Sequence, residues 1–198
     1  MANVSTKTGL FFGSFNPVHI GHMAIANYML EFTPIEELWF VVSPQNPFKT
    51  KKQLLDQYQR LEMVNRAIED PFHYKASNIE FDLPRPSYTI DTLAYLTEKF
   101  PKRKFVLIMG ADSLASFYRW KNADKIIQWY ERYVYPRHHV QIDESAHTNI
   151  RLVQAPMMEI SSSFIRQAIK DEKDVRYFLP GPVYQYIKEM HFYQDSGL

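Results

Sequence analysis

The sequence contains no cysteine among its 198 residues. This absence excludes disulfide bonds, zinc sites built on thiolates and catalysis by a thiol, and it leaves the redox compartment open. The sequence also lacks an excess of charge, because 23 basic side chains are matched by 22 acidic ones and the net charge is +1. A nearly neutral chain gives no electrostatic support for a nucleic-acid partner or for binding to an anionic membrane.

Long hydrophobic runs are missing as well. The first nine residues, MANVSTKTG, lack the apolar core of a signal peptide, and no window is apolar enough to cross a membrane. We therefore expect a cytoplasmic protein. Hydrophobic residues make up 45% of the chain and aromatic residues 15%, which is sufficient for a folded core. Without a convincing linker or repeat, we expect one domain over residues 1–198.

Short apolar runs alternate with amphipathic helical patterns along the chain. The predicted strands are 10–12, 38–42, 74–81, 104–109, 131–135 and 150–153. The predicted helices are 19–32, 57–69, one that Ser87 caps and that runs through Leu96, 120–130, 161–170 and a closing helix at 183–190. Because several strand runs are apolar on both faces, this order favours an open parallel α/β sheet with helices on both faces and a short C-terminal helical extension.

The stretch GLFFGSFNPVHIGH, from Gly9 to His22, is the most informative part of the sequence. It predicts a buried strand, a tight loop and then the start of a helix, where unpaired backbone N–H groups bind anions. Gly13 would let the main chain approach a phosphate. His19 and His22 are three residues apart and so lie on one helical face. Alone, such a pair would favour a helix-cap residue or a metal site.

Other polar segments follow predicted strands or begin predicted helices. Gly110 and Asp112 come directly after the strand KFVLIM, and the loop at 43–52 carries Lys49. Near the C-terminus, ISSSFIR places Arg166 three residues after Ser163, on the same face of a helix. Taken alone, the serines would be an N-cap run and Arg166 a surface residue in a salt bridge.

Together these motifs resemble a known superfamily. GSFNPVHIGH is similar to the (T/H)xGH signature of the nucleotidyltransferases, and Ile160–Arg166 resembles their ISSTxIR element. The segments PSYTIDT at 86–92 and MGAD at 109–112, with Trp120 downstream, resemble the bacterial nicotinate-nucleotide adenylyltransferases in particular. The resemblance covers nearly the whole chain and implies a Rossmann-like nucleotidyltransferase fold.

The resemblance implies adenylyl transfer from ATP to nicotinate mononucleotide, giving nicotinate adenine dinucleotide and pyrophosphate. Such a displacement needs positioning and charge neutralisation more than a covalent nucleophile. The implied catalytic residues are His19, His22 and Arg166. The implied ATP contacts are Gly13, Ser14, Phe15, His19, His22, Lys49, Gly110, Asp112, Ser162, Ser163 and Arg166. The implied mononucleotide contacts are Asn16, Tyr88, Thr89 and Trp120, with Trp120 stacking on the nicotinate ring and Thr89 helping to hold its carboxylate.

We expect Mg²⁺ to arrive bound to the ATP phosphates rather than in a dedicated protein site, and a homo-oligomer is possible. Alternative functions are a nicotinamide mononucleotide or pantetheine-phosphate adenylyltransferase, and a catalytically silent nucleotide-binding sensor. The sequence departs from the commonest family pattern at Phe12, where a second glycine is frequent, and at Asn16, where aspartate is. Asn16 keeps the turn-forming ability of aspartate but not its charge.

Overall fold

The computed structural model describes residues 5–44, 54–138, 140–143 and 147–194. Within them, six strands form one parallel sheet in the order β3-β2-β1-β4-β5-β6. The strands are β1 Thr6–Gly13, β2 Glu37–Val42, β3 Tyr74–Ser77, β4 Arg103–Gly110, β5 Glu131–Tyr135 and β6 Ile150–Leu152. The helices are α1 Ile20–Phe32, α2 Gln57–Ala67, α3 Thr89–Lys99, α4 Ala111–Ala115, α5 Ala123–Trp129, α6 Ser162–Lys170 and α7 Gly181–Glu189.

The sheet order reverses between β1 and β4, which are hydrogen-bonded neighbours in the middle of the sheet. From β1 the chain proceeds through β2 and β3 to one edge of the sheet. It then returns to β4, beside β1, and proceeds through β5 and β6 to the other edge. Beyond the carboxyl ends of these central strands the two sets of connections diverge and leave a crevice, which is where open α/β sheets bind ligands. The first motif follows β1 directly, and Gly110 ends β4.

Both faces of the sheet are covered, as the apolar runs predict. One core packs alternate strand residues such as Phe11, Phe40 and Ile108 against α1, α2, α6 and α7. The other packs the intervening residues, such as Leu10 and Leu107, against α3, α4 and α5. Alternation along each strand sends successive side chains into different cores, so a central strand must be apolar on both faces. This arrangement confirms the predicted fold class.

Several predicted boundaries are wrong for local reasons. Trp120 is not helical, because α5 begins only after Asn122, whose φ of 50° is left-handed. Tyr88 rather than Ser87 precedes α3, since the Ser87 hydroxyl donates instead to Glu80. The strand predicted at 74–81 ends at Ser77, where the chain turns and the N–H of Phe81 donates to Asn78. α7 starts at Gly181, two residues earlier than predicted, with proline in its first turn.

The C-terminal segment after α7 returns to the centre of the molecule. Phe192 is buried in the same core as α2 and α7, and the Tyr193 hydroxyl donates to Asn16 Oδ1 at 2.9 Å. The helical extension therefore braces the loop that follows β1. No helix in the described part of the chain is both long and apolar enough to cross a lipid bilayer.

Candidate active site

A cleft of about 930 Å³ opens at the carboxyl edge of the sheet. Its walls come from the loop after β1, the start of α1, the segment after β5 and the start of α6. Most of the predicted ATP-site side chains meet there, although they are far apart in sequence. Those lining it are Ser14, His19, His22, Asp112, Ser162, Ser163 and Arg166.

The loop after β1 is shaped by Phe15, whose ring folds back under it. Phe15 has a φ of 45°, and its side chain is buried among Phe11, Phe40 and the edge of His22. A Cβ on Gly13 would come within 2.7 Å of the Phe15 ring. Glycine is therefore required at position 13 by this packing as well as by any close approach of a phosphate. The side chain of Phe15 is inside the core, so a contact between Phe15 and ATP would have to use its backbone.

The two histidines stack at the start of α1. Their ring centroids are 3.7 Å apart with an interplanar angle of 30°. The backbone N–H of His19 donates to Nδ1 of His22 at 3.2 Å. Because Nδ1 accepts this bond, a neutral His22 ring carries its proton on Nε2, which can donate it to a phosphate oxygen. The helix start thus fixes both the orientation and the tautomer of His22.

His19 is the more deeply buried of the pair, with 5% of its surface exposed. Burial, and secondarily the nearby Arg137 charge, lower the pKa of His19 from 6.5 to about 4. At neutral pH the ring is therefore uncharged in the free protein. Toward ATP, which the resemblance implies as its ligand, an uncharged His19 would act as a hydrogen-bonding group, and negative charge on bound phosphates would favour the imidazolium.

The lowered pKa of His19 predicts a dependence of stability on pH. The unfolded chain gains a proton on His19 near pH 6.5, whereas the folded protein gains it only near pH 4, so stability falls as the pH falls through this interval. The difference between the two pKa values corresponds to a loss of about 3 kcal/mol in the free energy of unfolding. We expect urea unfolding of a His19→Asn variant to show a smaller decrease in the free energy of unfolding between pH 6.5 and pH 4. The same decrease in the variant as in the wild-type protein would show that His19 does not cause it.

The start of α6 is tied directly to the loop after β1. Ser162 Oγ donates to the Pro17 carbonyl at 2.9 Å, and Arg166 donates to the Asn16 carbonyl at 2.8 Å. Arg166 also lies 3.3 Å from Ser163 Oγ, while Ser161 is the N-cap and accepts from the Phe164 N–H. These bonds hold the guanidinium at the cleft wall. The second motif is therefore part of the same structure as the first, although about 145 residues separate them.

Across the cleft, Asp112 and Arg137 face each other. Asp112 lies in the first turn of α4, with 61% of its side chain exposed and Oδ1 3.7 Å from Arg137 Nε. Its carboxylate occupies the place where a Cβ on Gly110 would lie, so glycine at position 110 permits this conformation. An exposed carboxylate beside the cleft remains available to ribose hydroxyls, as the resemblance implies.

Two arginines that the sequence did not single out shape the site. Arg137 follows β5, lines the cleft, and packs its guanidinium 5.1 Å from the Tyr135 ring centroid. Arg60, in α2, is 1% exposed and donates to the carbonyls of Ser14, Ser43, Pro44 and Leu55. The one sequence signal for Arg60 is a charge on the apolar side of α2, which is unusual unless the charge is fully hydrogen-bonded.

The predicted mononucleotide residues lie elsewhere. Tyr88 and Thr89 are at the start of α3, and Trp120 follows a short 3₁₀ helix between α4 and α5, packing at 5.0 Å from Phe117. These elements cover the opposite face of the sheet from α1. Asn16 is the exception: it borders the cleft, but it is 3% exposed and its Oδ1 already accepts from the Leu55 N–H and the Tyr193 hydroxyl.

Three features that the sequence analysis singled out remain. Lys49 lies outside the described residues. The side chain of Phe12, one of the two departures from the family pattern, packs against the core under α3 to α5 and not into the cleft. Within the described ranges, no group of three or more histidine, aspartate or glutamate side chains is arranged to hold a metal ion.

The chain is similar to known proteins over nearly its full length. A family model described as cytidylyltransferase-like matches residues 10–168. A protein of Christiangramia forsetii named probable nicotinate-nucleotide adenylyltransferase is 52% identical over 96% of this chain and 100% of its own length. One of Cytophaga hutchinsonii with the same name is 48% identical over 96% and 99%.

Solved structures give the same fold. A Plasmodium falciparum nicotinic acid mononucleotide adenylyltransferase complexed with NaAD matches with a TM-score of 0.81, at 21% identity over 95% of this chain and 97% of that one. The same enzyme complexed with APC matches with a TM-score of 0.80. Together with the close relatives, these matches confirm the resemblance seen in the motifs. The chain belongs to the cytidylyltransferase-like family and, within it, to the nicotinate-nucleotide adenylyltransferases.

Proposed function

We propose that this protein transfers the adenylyl group of ATP to nicotinate mononucleotide, giving nicotinate adenine dinucleotide and pyrophosphate in NAD biosynthesis. The observation that carries the proposal is the convergence of His19, His22 and Arg166 on one cleft at the switch point of the sheet. The close relatives carry the name of this activity. Because the donor is ATP, a cytoplasmic location is part of the proposal.

The ATP phosphates would lie between the starts of α1 and α6. Both helices are long enough to present a positive N-terminal end, and both starts border the cleft. Nε2 of His22 supplies a hydrogen-bond donor, and Arg166, already oriented by the Asn16 carbonyl, supplies a fixed positive charge. Arg137 adds a second guanidinium on the opposite wall.

In the reaction, a phosphate oxygen of the mononucleotide attacks the α-phosphorus of ATP. A new P–O bond forms as the bond from the α-phosphorus to the bridging oxygen of pyrophosphate breaks, and the electron pair leaves with pyrophosphate. Charge shifts toward the leaving group, so donors placed beside it lower the barrier more than they strengthen ground-state binding. The groups assembled in the cleft are of this kind, and no covalent intermediate on the protein is required.

Magnesium belongs to the same proposal as a companion of ATP. Bound to the phosphates, it would supply charge neutralisation and keep most of its ligands as water and phosphate oxygens.

The acceptor is proposed to lie beside the first turn of α3. Trp120 is partly buried, and the next residue, Lys121, reaches back to the Asp91 carboxylate at 2.9 Å and to the Tyr88 ring at 4.7 Å. These contacts tie the segment that carries Trp120 to the start of α3, which carries Tyr88 and Thr89. A planar aromatic face beside hydroxyl groups suits a pyridine ring that bears a carboxylate.

The test is pyrophosphate release from ATP and Mg²⁺ with three acceptors compared side by side: nicotinate mononucleotide, nicotinamide mononucleotide and phosphopantetheine. We expect the nicotinate form to give the highest kcat/KM. A preference for either other acceptor would keep the phosphate site but overturn the substrate. Binding of ATP without pyrophosphate release for any acceptor would favour a nucleotide sensor over an enzyme.

A further inference from the structure

A continuous line of hydrogen bonds joins the loop after β1 to the first turns of α3. It runs through two buried charged residues, Arg60 at 1% exposure and Glu80 at 2%, which the proposed chemistry does not use. The two are linked through Ser43, the residue after β2. Buried ionisable groups are costly unless their hydrogen bonds are satisfied, so such a network is a specific structural device.

The Arg60 end of the network fixes the loop of the phosphate site. One guanidinium nitrogen donates both to the Ser14 carbonyl at 2.7 Å and to the Ser43 carbonyl at 2.8 Å. The backbone N–H of Ser43 in turn donates to the Gly13 carbonyl at 2.9 Å. The residue after β2 is therefore held to the loop after β1 by its own backbone and by Arg60.

The Glu80 end fixes the start of α3. Its carboxylate accepts from Thr92 Oγ1 at 2.8 Å and from Ser87 Oγ at 3.1 Å, and the Ser43 hydroxyl is a third partner. Thr92 is fully buried and Ser87 nearly so. Ser87 precedes the helix and Thr92 lies in its first turns, so one carboxylate sets both the position and the direction of α3 where it begins.

Both ends lie at the same edge of the sheet. Residues after β1 and β2 are at the carboxyl ends of parallel strands, and α3 must also begin at that edge because it connects β3 to the parallel strand β4. The network thus passes from one face of the sheet to the other, beneath the place where a ligand in the crevice would span both faces.

We propose that Arg60, Ser43 and Glu80 are positioning residues that hold the phosphate loop and the first turns of α3 in a fixed relation, so that ATP binding on one side orders the acceptor surface on the other. This inference rests on the proposed function in placing the mononucleotide beside α3. It predicts that weakening the Glu80 end impairs acceptor binding while leaving the ATP cleft intact.

The experiment uses Thr92→Val, which keeps the shape of the side chain and removes the hydroxyl that donates to Glu80. We expect the KM for nicotinate mononucleotide to rise about tenfold while the KM for ATP stays within about twofold. Hydrogen exchange supplies a second readout that needs no turnover. In the wild-type protein, a non-hydrolysable ATP analogue should increase protection of the Asp91 and Thr92 amides, which donate to the Tyr88 carbonyl, and in Thr92→Val it should not.

Two variants serve as controls for loss of stability. Thr92→Ser retains the hydroxyl and should restore both the KM and the protection. Thr97→Val removes a hydroxyl from the same helix that donates to the Leu93 carbonyl and does not contact Glu80, so it should leave both unchanged.

The outcomes separate this inference from the proposed function. If the ATP analogue still increases protection in Thr92→Val, or if Thr92→Val and Thr97→Val have equal effects, the network's role is overturned even if the enzyme is fully active. Loss of the ATP-dependent increase in protection in Thr92→Val alone would support that role even if another acceptor proved to be the substrate. Absence of turnover by the wild-type protein with nicotinate mononucleotide would overturn the function only.

Discussion

Replacing His22 with alanine is expected to lower kcat by about a hundredfold or more while the Kd for ATP changes by less than about threefold. The reason is the geometry of the ring. Its Nδ1 is occupied by the His19 N–H, so the hydrogen bond it can offer a phosphate comes from Nε2 in a fixed direction. A donor held in place helps most when charge develops on the phosphate oxygens, which happens in the transition state.

The measurement is steady-state kinetics together with equilibrium binding of ATP to the same variant. His73→Ala is a suitable control, because His73 pairs with Asp70 just before β3, at the opposite edge of the sheet from the cleft. That variant should keep wild-type turnover. A His22→Ala protein with nearly normal kcat, or one whose ATP binding falls in proportion to its activity, would remove the proposed role of His22.

Replacing Arg60 with methionine is expected to reduce the free energy of unfolding by about 3–5 kcal/mol. Methionine fills much of the same volume but leaves the carbonyls of four residues without their donor in a buried place, namely Ser14, Ser43, Pro44 and Leu55. Because Ser14 lines the cleft, the remaining folded protein should also bind ATP more weakly.

Arg66→Met gives a matched comparison in the same helix. Arg66 is exposed and pairs with Glu62 one turn earlier, and exposed pairs of this type contribute little to stability. Urea unfolding of both variants measures the difference directly. A cost below about 1 kcal/mol for Arg60→Met would show that the loop does not depend on the guanidinium.

The elements that the sequence predicted well are those with a strong local signal. β5 matches the predicted 131–135. β2 and β4 contain the predicted apolar runs 38–42 and 104–109, and each strand is one or two residues longer than its run. α1 was predicted because its apolar spacing is bounded by a proline on each side of it. In each case the pattern and its ends lie within one short stretch of sequence.

The parts that sequence could not predict depend on contacts between distant segments. Ser87 looks like a helix cap until the Glu80 carboxylate, seven residues earlier, is seen to take its hydroxyl. Trp120 has helical neighbours, but the left-handed Asn122 delays the helix. Arg60 bonds to Ser14, 46 residues away, and no local pattern contains that information.

The residues of the candidate site also fall into two groups, those that a local motif predicted and those that depend on contacts between distant segments. The motifs around His19 and Arg166 predicted groups that line the cleft, and the structure adds how they are held, through carbonyls of the loop after β1. The motifs did not indicate Arg137, because an arginine after a strand is ordinary in sequence. They also could not show that Asn16 Oδ1 is bonded to Tyr193, a residue 177 positions later.

The central claim is direct transfer of the adenylyl group from ATP to the mononucleotide, and its most direct test is to follow the α-phosphorus atom of ATP. The protein is mixed with α-³²P-labelled ATP, Mg²⁺ and nicotinate mononucleotide, quenched in EDTA and detergent, and the products are separated, with a parallel sample lacking the acceptor. Direct adenylyl transfer predicts label in the dinucleotide in the complete mixture, and label remaining in ATP without the acceptor. Label attached to the protein, or released as ADP or orthophosphate, would contradict it.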